Sequence, residues 1–377
     1  MVSFSPVQAL SVALTFWVSS VAGTACNPRG YLTVTTTNGP VTGHLAPNAS
    51  CVVEYLGVPY AKPPVGDLRF APPQKISARN AYEAANFGFD CPLSAAPTPD
   101  FPGFTPQARR IVSFFASGAG TPQSEDCLTL NIWAKPTARS TRAAKPVVVF
   151  FYGGRFAIGN TNSPFYTGKY FAEAEDVLVV TVNYRLNIFG FPGIPGQPQN
   201  LGLRDQRAAV EWIRDNIKRF GGDPTKITIT GHFPVNAPGV PQRNWETVAA
   251  ARAACAIPAW AYRYLADWDN TRLYPTSGAY HGVDLHMIFD ASADTSGLAT
   301  TPDQEALTRV MQSGWFAFAD DPWRGLTRLG WPTFDRQTKS LLLLGENNSP
   351  VPRLVKPSEF DAPCSTVTLG ALGTPSS

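Results

Sequence analysis

The sequence has little charge and no strong excess of either sign. Only 16% of its 377 residues are charged, and 31 basic residues against 28 acidic ones leave a net charge of +3. This balance excludes a nucleic-acid-binding protein that relies on bulk electrostatic attraction. With 44% hydrophobic residues, the low charge also excludes a wholly disordered chain.

Long apolar runs are missing after the first 25 residues. No later stretch reaches the roughly 18 apolar residues of a membrane-spanning helix, so no transmembrane segment is expected in the mature chain. Residues 7–22 are apolar and uncharged, and small residues follow them. This pattern predicts a secretory signal peptide over 1–25, cut after Gly23 or Ala25, and a secreted, extracellular protein. An N-terminal membrane anchor is the alternative, because no Lys or Arg precedes the apolar run.

The cysteines include no C-x-x-C pair. Their even number and wide gaps are typical of disulfides formed in an oxidising compartment, although the sequence alone assigns no pairing. They are Cys26, Cys51, Cys91, Cys127, Cys255 and Cys364. Two N-x-S sequons, at Asn48 and Asn347, are candidate glycosylation sites in an exported chain.

The hydrophobic pattern of the mature chain predicts an α/β fold. Residues 31–37, followed by Asn38-Gly39, are typical of an N-terminal antiparallel hairpin. Apolar or alternating runs predict further strands over 52–60, 127–133, 146–152, 176–184 and 226–230. No internal repeat is visible, and residues 26–377 are interpreted as a single domain.

One helix is clearly marked between two of these strands. Val210, Ile213, Ile217 and Phe220 recur at helical spacing, and Gly221-Gly222 end the helix. Strand, helix and strand with short joints form a βαβ unit, which implies parallel strands. Because ligands of open parallel sheets bind beyond the carboxyl ends of the strands, we expect the site in the loops after residues 152, 184 and 230.

Several segments, taken together, resemble one known family. They are EYLGVPYAKPPVGDLRFAPPQ (54–74), SEDCLTLNIW (124–133), FFYGGRFAIGN (150–160), VTVNYRLNIFGF (180–191), NLGLRDQRAAVEWIRDNIKRFGGDPTKITITG (200–231) and IPAWAYRYLADWDNTRLYPTSGAYHGVDLHMIF (257–289). This chain is similar to the type-B carboxylesterase/lipase family, the cholinesterase-like branch of the α/β-hydrolases. The resemblance implies a mostly parallel central sheet with helices on both faces, and acyl-transfer chemistry on a small or lipid-like carboxylic ester.

The resemblance assigns roles to particular residues. Gly153-Gly154-Arg155-Phe156 matches the glycine-rich oxyanion loop, with Gly154 and Arg155 as the backbone donors and Arg155 in place of a third glycine. The alternative is that Gly153-Gly154 only turn a strand into a loop. His281 matches the general base. By the same resemblance, Cys91 and Cys127 form a disulfide.

Other candidate chemistry is weaker. His286 is interpreted as structural, and His281 with His286, without a cysteine or carboxylate cluster, does not indicate a metal site. No cofactor and no nucleic-acid partner are expected.

The match to the family breaks after the last strand of the βαβ unit. The expected G-x-S-x-G nucleophile elbow reads Gly231-His232-Phe233-Pro234-Val235, and no G-x-S-x-G occurs anywhere in the chain. Phe233 stands where the nucleophilic serine is expected. The block that carries the triad acid is replaced by residues 236–253, whose one acid is Glu246. The fold is therefore predicted to be incomplete after residue 231, with apolar strand surface left uncovered.

Three interpretations remain open. The first is an ester hydrolase whose written sequence has lost an internal block; the chain as written then has weak or absent activity. The second is a non-catalytic binding protein on an esterase scaffold, and the third is a decayed product without a stable fold. The sequence does not identify the ester, the triad acid or the oligomeric state.

Overall fold

The computed structural model describes residues 32–94, 101–115, 120–136, 144–232, 252 and 255–361. Some of the predictions lie outside these residues. They concern the signal peptide over 1–25, Cys26, Cys364, Phe233 and most of the block 236–253.

The secondary structure alternates between strands and helices along most of the described chain. The strands are β1 (Thr33–Thr36), β2 (Gly39–Thr42), β3 (His44–Leu45), β4 (Val53–Pro59), β5 (Tyr82–Glu83), β6 (Thr129–Ala134), β7 (Lys145–Phe151), β8 (Leu178–Val182), β9 (Gly222–Gly231), β10 (Ala261–Tyr264), β11 (Leu341–Leu344) and β12 (Arg353–Val355). The helices are α1 (Ala108–Phe115), α2 (Lys169–Ala174), α3 (Asn187–Gly190), α4 (Leu201–Asn216), α5 (Leu285–Ile288), α6 (Ser292–Ser296), α7 (Pro302–Asp320), α8 (Gly325–Arg328) and α9 (Ser358–Asp361).

The central sheet has the strand order β3-β4-β6-β8-β7-β9. Strand β7 pairs in parallel with β8 and β9, whereas the β3–β4, β4–β6 and β6–β8 pairs are antiparallel. The α/β class is confirmed, but the description of this sheet as mostly parallel fits only the half that holds β7, β8 and β9. The reason is the connections: helices α2, α3 and α4 separate β7, β8 and β9 along the chain, and parallel neighbours need such crossovers.

The predicted N-terminal hairpin is confirmed. Strands β1 and β2 pair antiparallel, with Thr36 opposite Gly39, so Thr37 and Asn38 form the two-residue turn. Gly39 has a φ of 114°, a conformation that is open to glycine and costly for other residues.

The middle of the sheet forms the core of the fold. All residues of β7 and β8 are buried, as their continuous apolar runs predicted. Even Lys145 at the start of β7 is buried, because its ammonium group contacts the carboxylate of Asp176 at 2.9 Å. Helices α2, α4 and α7 pack against the strands of this sheet.

Helix α4 confirms the predicted helix, and its last turn is a 3₁₀ turn. It spans Leu201–Asn216 and continues as a 3₁₀ turn over Ile217–Phe220, after which Gly221 ends it in the left-handed region at φ 94°. Asp205 on this helix is fully buried and forms a bidentate ion pair with Arg185, with N–O distances of 2.7 and 2.8 Å. The pair fixes the helix to the loop that follows β8.

Strand β9 is the least covered strand of the parallel half. In the part of the chain that the structure describes, β7 is its one neighbouring strand, and the side chain of Ile229 is 60% exposed.

The region after residue 255 adds a small second sheet and the long helix α7. Strand β11 pairs in parallel with β10 and antiparallel with β12. Helix α7 begins with a capping box between Thr301 and Gln304 and has Pro302 in its first turn, which are strong helix-start signals. None of the described helices is long and apolar enough to cross a membrane.

The disulfide that the resemblance implied is confirmed. Cys91 and Cys127 are bonded and lie 36 positions apart in the sequence. Closing a loop of this size stabilises the fold by about 3–4 kcal/mol through the entropy of the unfolded chain. Cys51 is also disulfide-bonded, while Cys255 is free and exposed.

Candidate active site

The loop after β7 lies at the carboxyl end of the parallel strands, where the sequence placed it. The N–H groups of Ala157 and Ile158 both donate to the carbonyl of Gly154, at 3.0 and 3.1 Å, which makes a tight turn. The two central residues of this turn, Arg155 and Phe156, have φ values of 56° and 60°. Side chains rarely adopt this left-handed conformation, which costs roughly 1–2 kcal/mol for each residue.

The tight turn leaves a row of free hydrogen-bond donors. Among the described residues, the backbone N–H groups of residues 153–156 have no acceptor. Free N–H groups that follow a buried strand are the feature that stabilises an oxyanion during acyl transfer. The loop therefore has the donors that the predicted oxyanion site at Gly154 and Arg155 requires.

His232, the residue that follows β9, is fitted between two glycines. Its backbone N–H donates to the carbonyl of Phe151 at 3.3 Å, which extends the pairing of β9 with β7 by one residue. A Cβ atom on Gly153 would lie 1.9 Å from the His232 carbonyl oxygen and 3.2 Å from its Nδ1. A Cβ atom on Gly282 would lie 3.1 Å from Nε2 of the same ring. A side chain at position 153 would thus collide with the His232 backbone, and one at position 282 would press tightly against its ring.

The imidazole of His232 stacks on that of His281. The ring centroids are 4.4 Å apart and the planes differ by 26°. Burial, and secondarily the neighbouring His281, lowers the pKa of His232 to about 4, so His232 is neutral at neutral pH. Its Nε2 atom is buried and has no hydrogen-bond partner among the described residues. Phe115 of α1 lies next to this pair, with its ring centroid 6.4 Å from that of His232.

His281, the predicted general base, is exposed. Within the described ranges, no hydroxyl group and no carboxylate forms a hydrogen bond with its ring. The structure thus brings His281 to another imidazole and to no described serine, threonine or acid. Phe233, the residue at the expected nucleophile position, lies outside the described residues.

Asp284 is an acid that the sequence reasoning missed. Its Oδ2 atom accepts a hydrogen bond from the hydroxyl of Tyr262 at 2.9 Å. Burial raises the pKa of Asp284, while the Tyr262 hydroxyl and the nearby His281 favour its charged form. The spacing of three residues from His281 was visible in the sequence, but no pattern distinguished Asp284 from other acids.

His286 is enclosed in the core, in agreement with a structural role. Its Nδ1 atom is 2.9 Å from the hydroxyl oxygen of Thr295, and its ring packs against Phe165 with centroids 4.5 Å apart. Burial lowers the pKa of His286 to about 3. In the described part of the chain, no group of three or more His, Cys, Asp or Glu side chains is placed to hold a metal ion.

No local sequence pattern marks the stacked pair of histidines. The one available signal for His232 is its position directly after a parallel strand, at the ligand-binding end of the sheet. The two sequon asparagines, Asn48 and Asn347, are both exposed, as glycosylation requires.

The comparisons with known proteins agree with this geometry. The sequence profile of the Carboxylesterase family matches residues 31–233. Acetylcholinesterase of Gallus gallus is 40% identical over 256 residues, which are 59% of this chain and 32% of that protein. Chlorogenic acid esterase of Aspergillus niger is 34% identical over 295 residues, 75% of this chain and 52% of that protein.

The solved structures support the same fold. A PNB esterase aligns with a TM-score of 0.67 and 20% identity over 92% of this chain and 100% of that one. The chain spans 32% of the chicken cholinesterase and 52% of the fungal esterase, so it is much shorter than these relatives. The family profile covers more than half of the chain and ends at residue 233, the position where the expected elbow is interrupted, and on this match the chain belongs to the carboxylesterase family.

Proposed function

We propose that this chain has an ester-binding cleft of the carboxylesterase type, and that it hydrolyses carboxylic esters weakly or not at all. The observation that carries the proposal is the environment of His281. Its ring stacks on the imidazole of His232 and has no described hydroxyl as a partner. The sequence supports the same conclusion, because Phe233 occupies the position of the expected serine.

The chemistry of each step supports weak hydrolysis. The free N–H groups of residues 153–156 are suited to hold a developing oxyanion. Without a side-chain nucleophile, His281 can only take a proton from water, which then attacks the ester carbonyl directly. Loss of a triad nucleophile costs on the order of 10⁴–10⁶ in rate.

A direct assay tests this proposal. The 377-residue chain is incubated with p-nitrophenyl butyrate and, separately, with a fluorophosphonate reagent. We expect turnover on the order of 10⁴-fold or more below that of an intact serine esterase, and no covalent label. His281→Ala is the control that shows whether residual turnover arises in this cleft. Efficient turnover with labelling of the unaltered chain would contradict the proposal, because it would reveal another nucleophile.

The substitution Phe233→Ser sharpens the assay. If residue 233 lies within reach of His281, the variant acquires a hydroxyl that a fluorophosphonate can label. We expect labelling without full activity, because no triad acid is assigned and loss of that acid alone costs roughly 10⁴ in rate. Absence of any label on a folded variant would show that residue 233 and His281 are apart.

A non-catalytic binding protein is the second candidate. It is favoured by Arg155, a cation in the predicted oxyanion loop, where the family pattern has glycine. The two candidates differ in turnover by the unaltered chain: the first predicts residual hydrolysis that His281→Ala abolishes, whereas the second predicts ligand binding without hydrolysis in both chains.

We also propose that the protein is secreted and glycosylated. The disulfide between Cys91 and Cys127 and the exposed Asn48 and Asn347 support export through an oxidising compartment. Treatment of protein from a eukaryotic culture medium with an endoglycosidase should increase its gel mobility. Substitution of both asparagines by Gln should remove that shift.

A further inference from the structure

Asp90 is a buried acid without a cationic partner in the described part of the chain. The residue is 1% exposed, and no Lys, Arg or His of that part forms an ion pair with it. Its Oδ2 atom accepts a hydrogen bond from Nδ2 of Asn160 at 2.8 Å, and its Oδ1 atom accepts one from Nδ2 of Asn162 at 2.6 Å. Two neutral amides are therefore the partners of this carboxyl group, and a carboxylate buried without a counter-charge is costly.

Asn162 has the complementary defect. Its Nδ2 atom donates to Asp90 and, at 3.3 Å, to the carbonyl of Gly88. Its Oδ1 atom is buried and has no hydrogen-bond partner within the described ranges. A buried acceptor that lacks a donor destabilises a fold. The amide that lacks a donor is thus the same amide that contacts the carboxyl group with uncompensated charge.

One proton on the carboxyl group satisfies both residues. We propose that Asp90 and Asn162 form a proton-binding site, in which the protonated Oδ2 of Asp90 donates to Oδ1 of Asn162 while Oδ1 of Asp90 accepts from the same amide. A protonated carboxyl group is a donor and keeps its capacity to accept, so Asn160 retains its hydrogen bond to Oδ2. The proton comes from water, and no other bond forms or breaks. This site does not depend on ester binding.

The electrostatic surroundings support proton binding near neutral pH. Burial raises the pKa of Asp90 to about 7, against the opposing effect of its two amide partners. Burial above all, with the charge of Asp90 among the lesser causes, also raises the pKa of Tyr152, so that hydroxyl stays protonated. Of the acids in the neighbouring segment, Glu125 pairs with Arg69, and the N–H of Asp126 donates to a serine hydroxyl. Neither acid is hydrogen-bonded to Asp90 in the described structure.

The site joins the disulfide-bonded loop to the segment that follows the tight turn at residues 154–158. The N–H of Asp90 donates to the carbonyl of Pro122 at 3.1 Å, and the N–H of Ser124 donates to the carbonyl of Asp90 at 3.0 Å. Folding raises the pKa of Asp90 above its ordinary value of 3.8, so the stabilisation is complete below pH 3.8 and is lost as the pH rises to about 7. Proton uptake therefore tightens the contact between the two segments, and proton release loosens it.

Infrared titration of the full chain, labelled with ¹³C at its aspartate carboxyl groups, tests the site. The C=O stretch of protonated carboxyl groups is followed as the pH rises. We expect a protonated aspartate with a titration midpoint of about pH 7 that is absent from Asp90→Asn. Asp126→Asn is the matched control, because it removes a half-buried acid that precedes the other cysteine of the disulfide, and it should leave this midpoint unchanged.

Asn162→Ala tests which group shares the proton. The variant removes both hydrogen bonds between the amide and the acid, so the C=O stretch of protonated Asp90 should move to higher frequency. An unchanged stretch would overturn the pairing with Asn162. A midpoint near the ordinary value of 3.8 for Asp90 would overturn the proton-binding site itself.

Hydrogen exchange of the unaltered chain gives a test that needs no variant. Local opening releases the N–H groups of Asp90 and Ser124, and it becomes easier as the proton is lost. Their protection from exchange, corrected for the intrinsic pH dependence of exchange, should fall roughly tenfold between pH 5 and pH 6 and level off above about pH 8. Protection that does not change with pH would contradict the proposal. None of these measurements involves an ester, so their failure and the failure of the proposed function are separate results.

Discussion

The middle of the central sheet and the loop at its carboxyl end differ in backbone hydrogen bonding and in backbone strain. In the middle, β7 is buried along its length and pairs with β8 and β9 on its two sides. In the loop that begins two residues beyond the strand end, the backbone N–H groups of residues 153–156 have no described acceptor, and Arg155 and Phe156 have strained backbone conformations. Strand β7 therefore contributes to the stability of the fold, and the loop that follows it contributes the unpaired N–H groups of the site. Such strain persists at sites because the packed interior tolerates it.

The largest effect is expected in the interior, at the ion pair between Asp205 and Arg185. Asp205→Ala leaves the guanidinium buried without its carboxylate, and we expect a loss of about 3–5 kcal/mol in the free energy of unfolding. Chemical denaturation measures this loss. Glu211→Ala, which removes an exposed partner of Arg207 on the same helix, should cost less than about 1 kcal/mol. Similar losses in the two variants would contradict the contrast between interior and surface.

The second largest expected effect is a pH dependence of the free energy of unfolding that comes from His286. Its pKa is about 3 in the folded chain against an ordinary value of 6.5, so the unfolded chain binds its proton at higher pH than the folded one. The stability that this group contributes is complete above pH 6.5 and is lost as the pH falls towards 3. Between pH 7 and pH 4 the loss from this group is about 3 kcal/mol.

His286→Gln isolates this contribution. Other groups titrate in the same range, among them Asp90, whose pKa burial raises to about 7 and whose contribution has the opposite sign. The measurement is therefore a difference: the unfolding free energy of wild type minus that of the variant, at pH 7 and at pH 4. This difference should fall by about 3 kcal/mol on acidification. A constant difference would show that His286 keeps an ordinary pKa.

The fold was more predictable from the sequence than the site. Its strands and helices depend on local patterns, whereas the site depends on contacts between distant residues. The strands at 146–152 and 176–184 and the helix that ends at Gly221 are marked by local apolar patterns, so they appeared at the expected positions. The mixed character of the sheet was missed because pairing direction depends on long-range connections. The stacking of His232 on His281 joins residues that are 49 positions apart in the sequence and follows no local pattern.

A smaller effect is expected where the site meets the sheet, at Gly153. A Cβ atom on this residue would lie 1.9 Å from the carbonyl oxygen of His232, so the backbone of one strand end must move. We expect Gly153→Ala to lower the free energy of unfolding by about 1–3 kcal/mol and to separate the two imidazoles. Nuclear magnetic resonance of the His232 and His281 ring protons measures the separation. A variant with wild-type ring shifts would show that Gly153 does not hold the pair.

Gly330→Ala is the matched control for Gly153→Ala. Gly330 has a φ of 85° and no heavy atom within 4 Å of the position of an added Cβ. Its substitution therefore costs only backbone strain, about 1 kcal/mol, and leaves the histidine ring shifts unchanged. A change in those shifts would mean that they report general destabilisation rather than the contact at Gly153.

The smallest expected effect is a gain in the free energy of unfolding, and it arises at Arg155. Glycine adopts a φ of 56° without strain, so Arg155→Gly should stabilise the folded chain by up to about 1 kcal/mol, reduced by the greater freedom that glycine gives the unfolded chain. Thermal unfolding measures the gain, and Arg155→Ala, which keeps the strain and loses the charge, is the control. Greater stability of Arg155→Ala than of Arg155→Gly would instead assign the effect to the charge and not to the backbone.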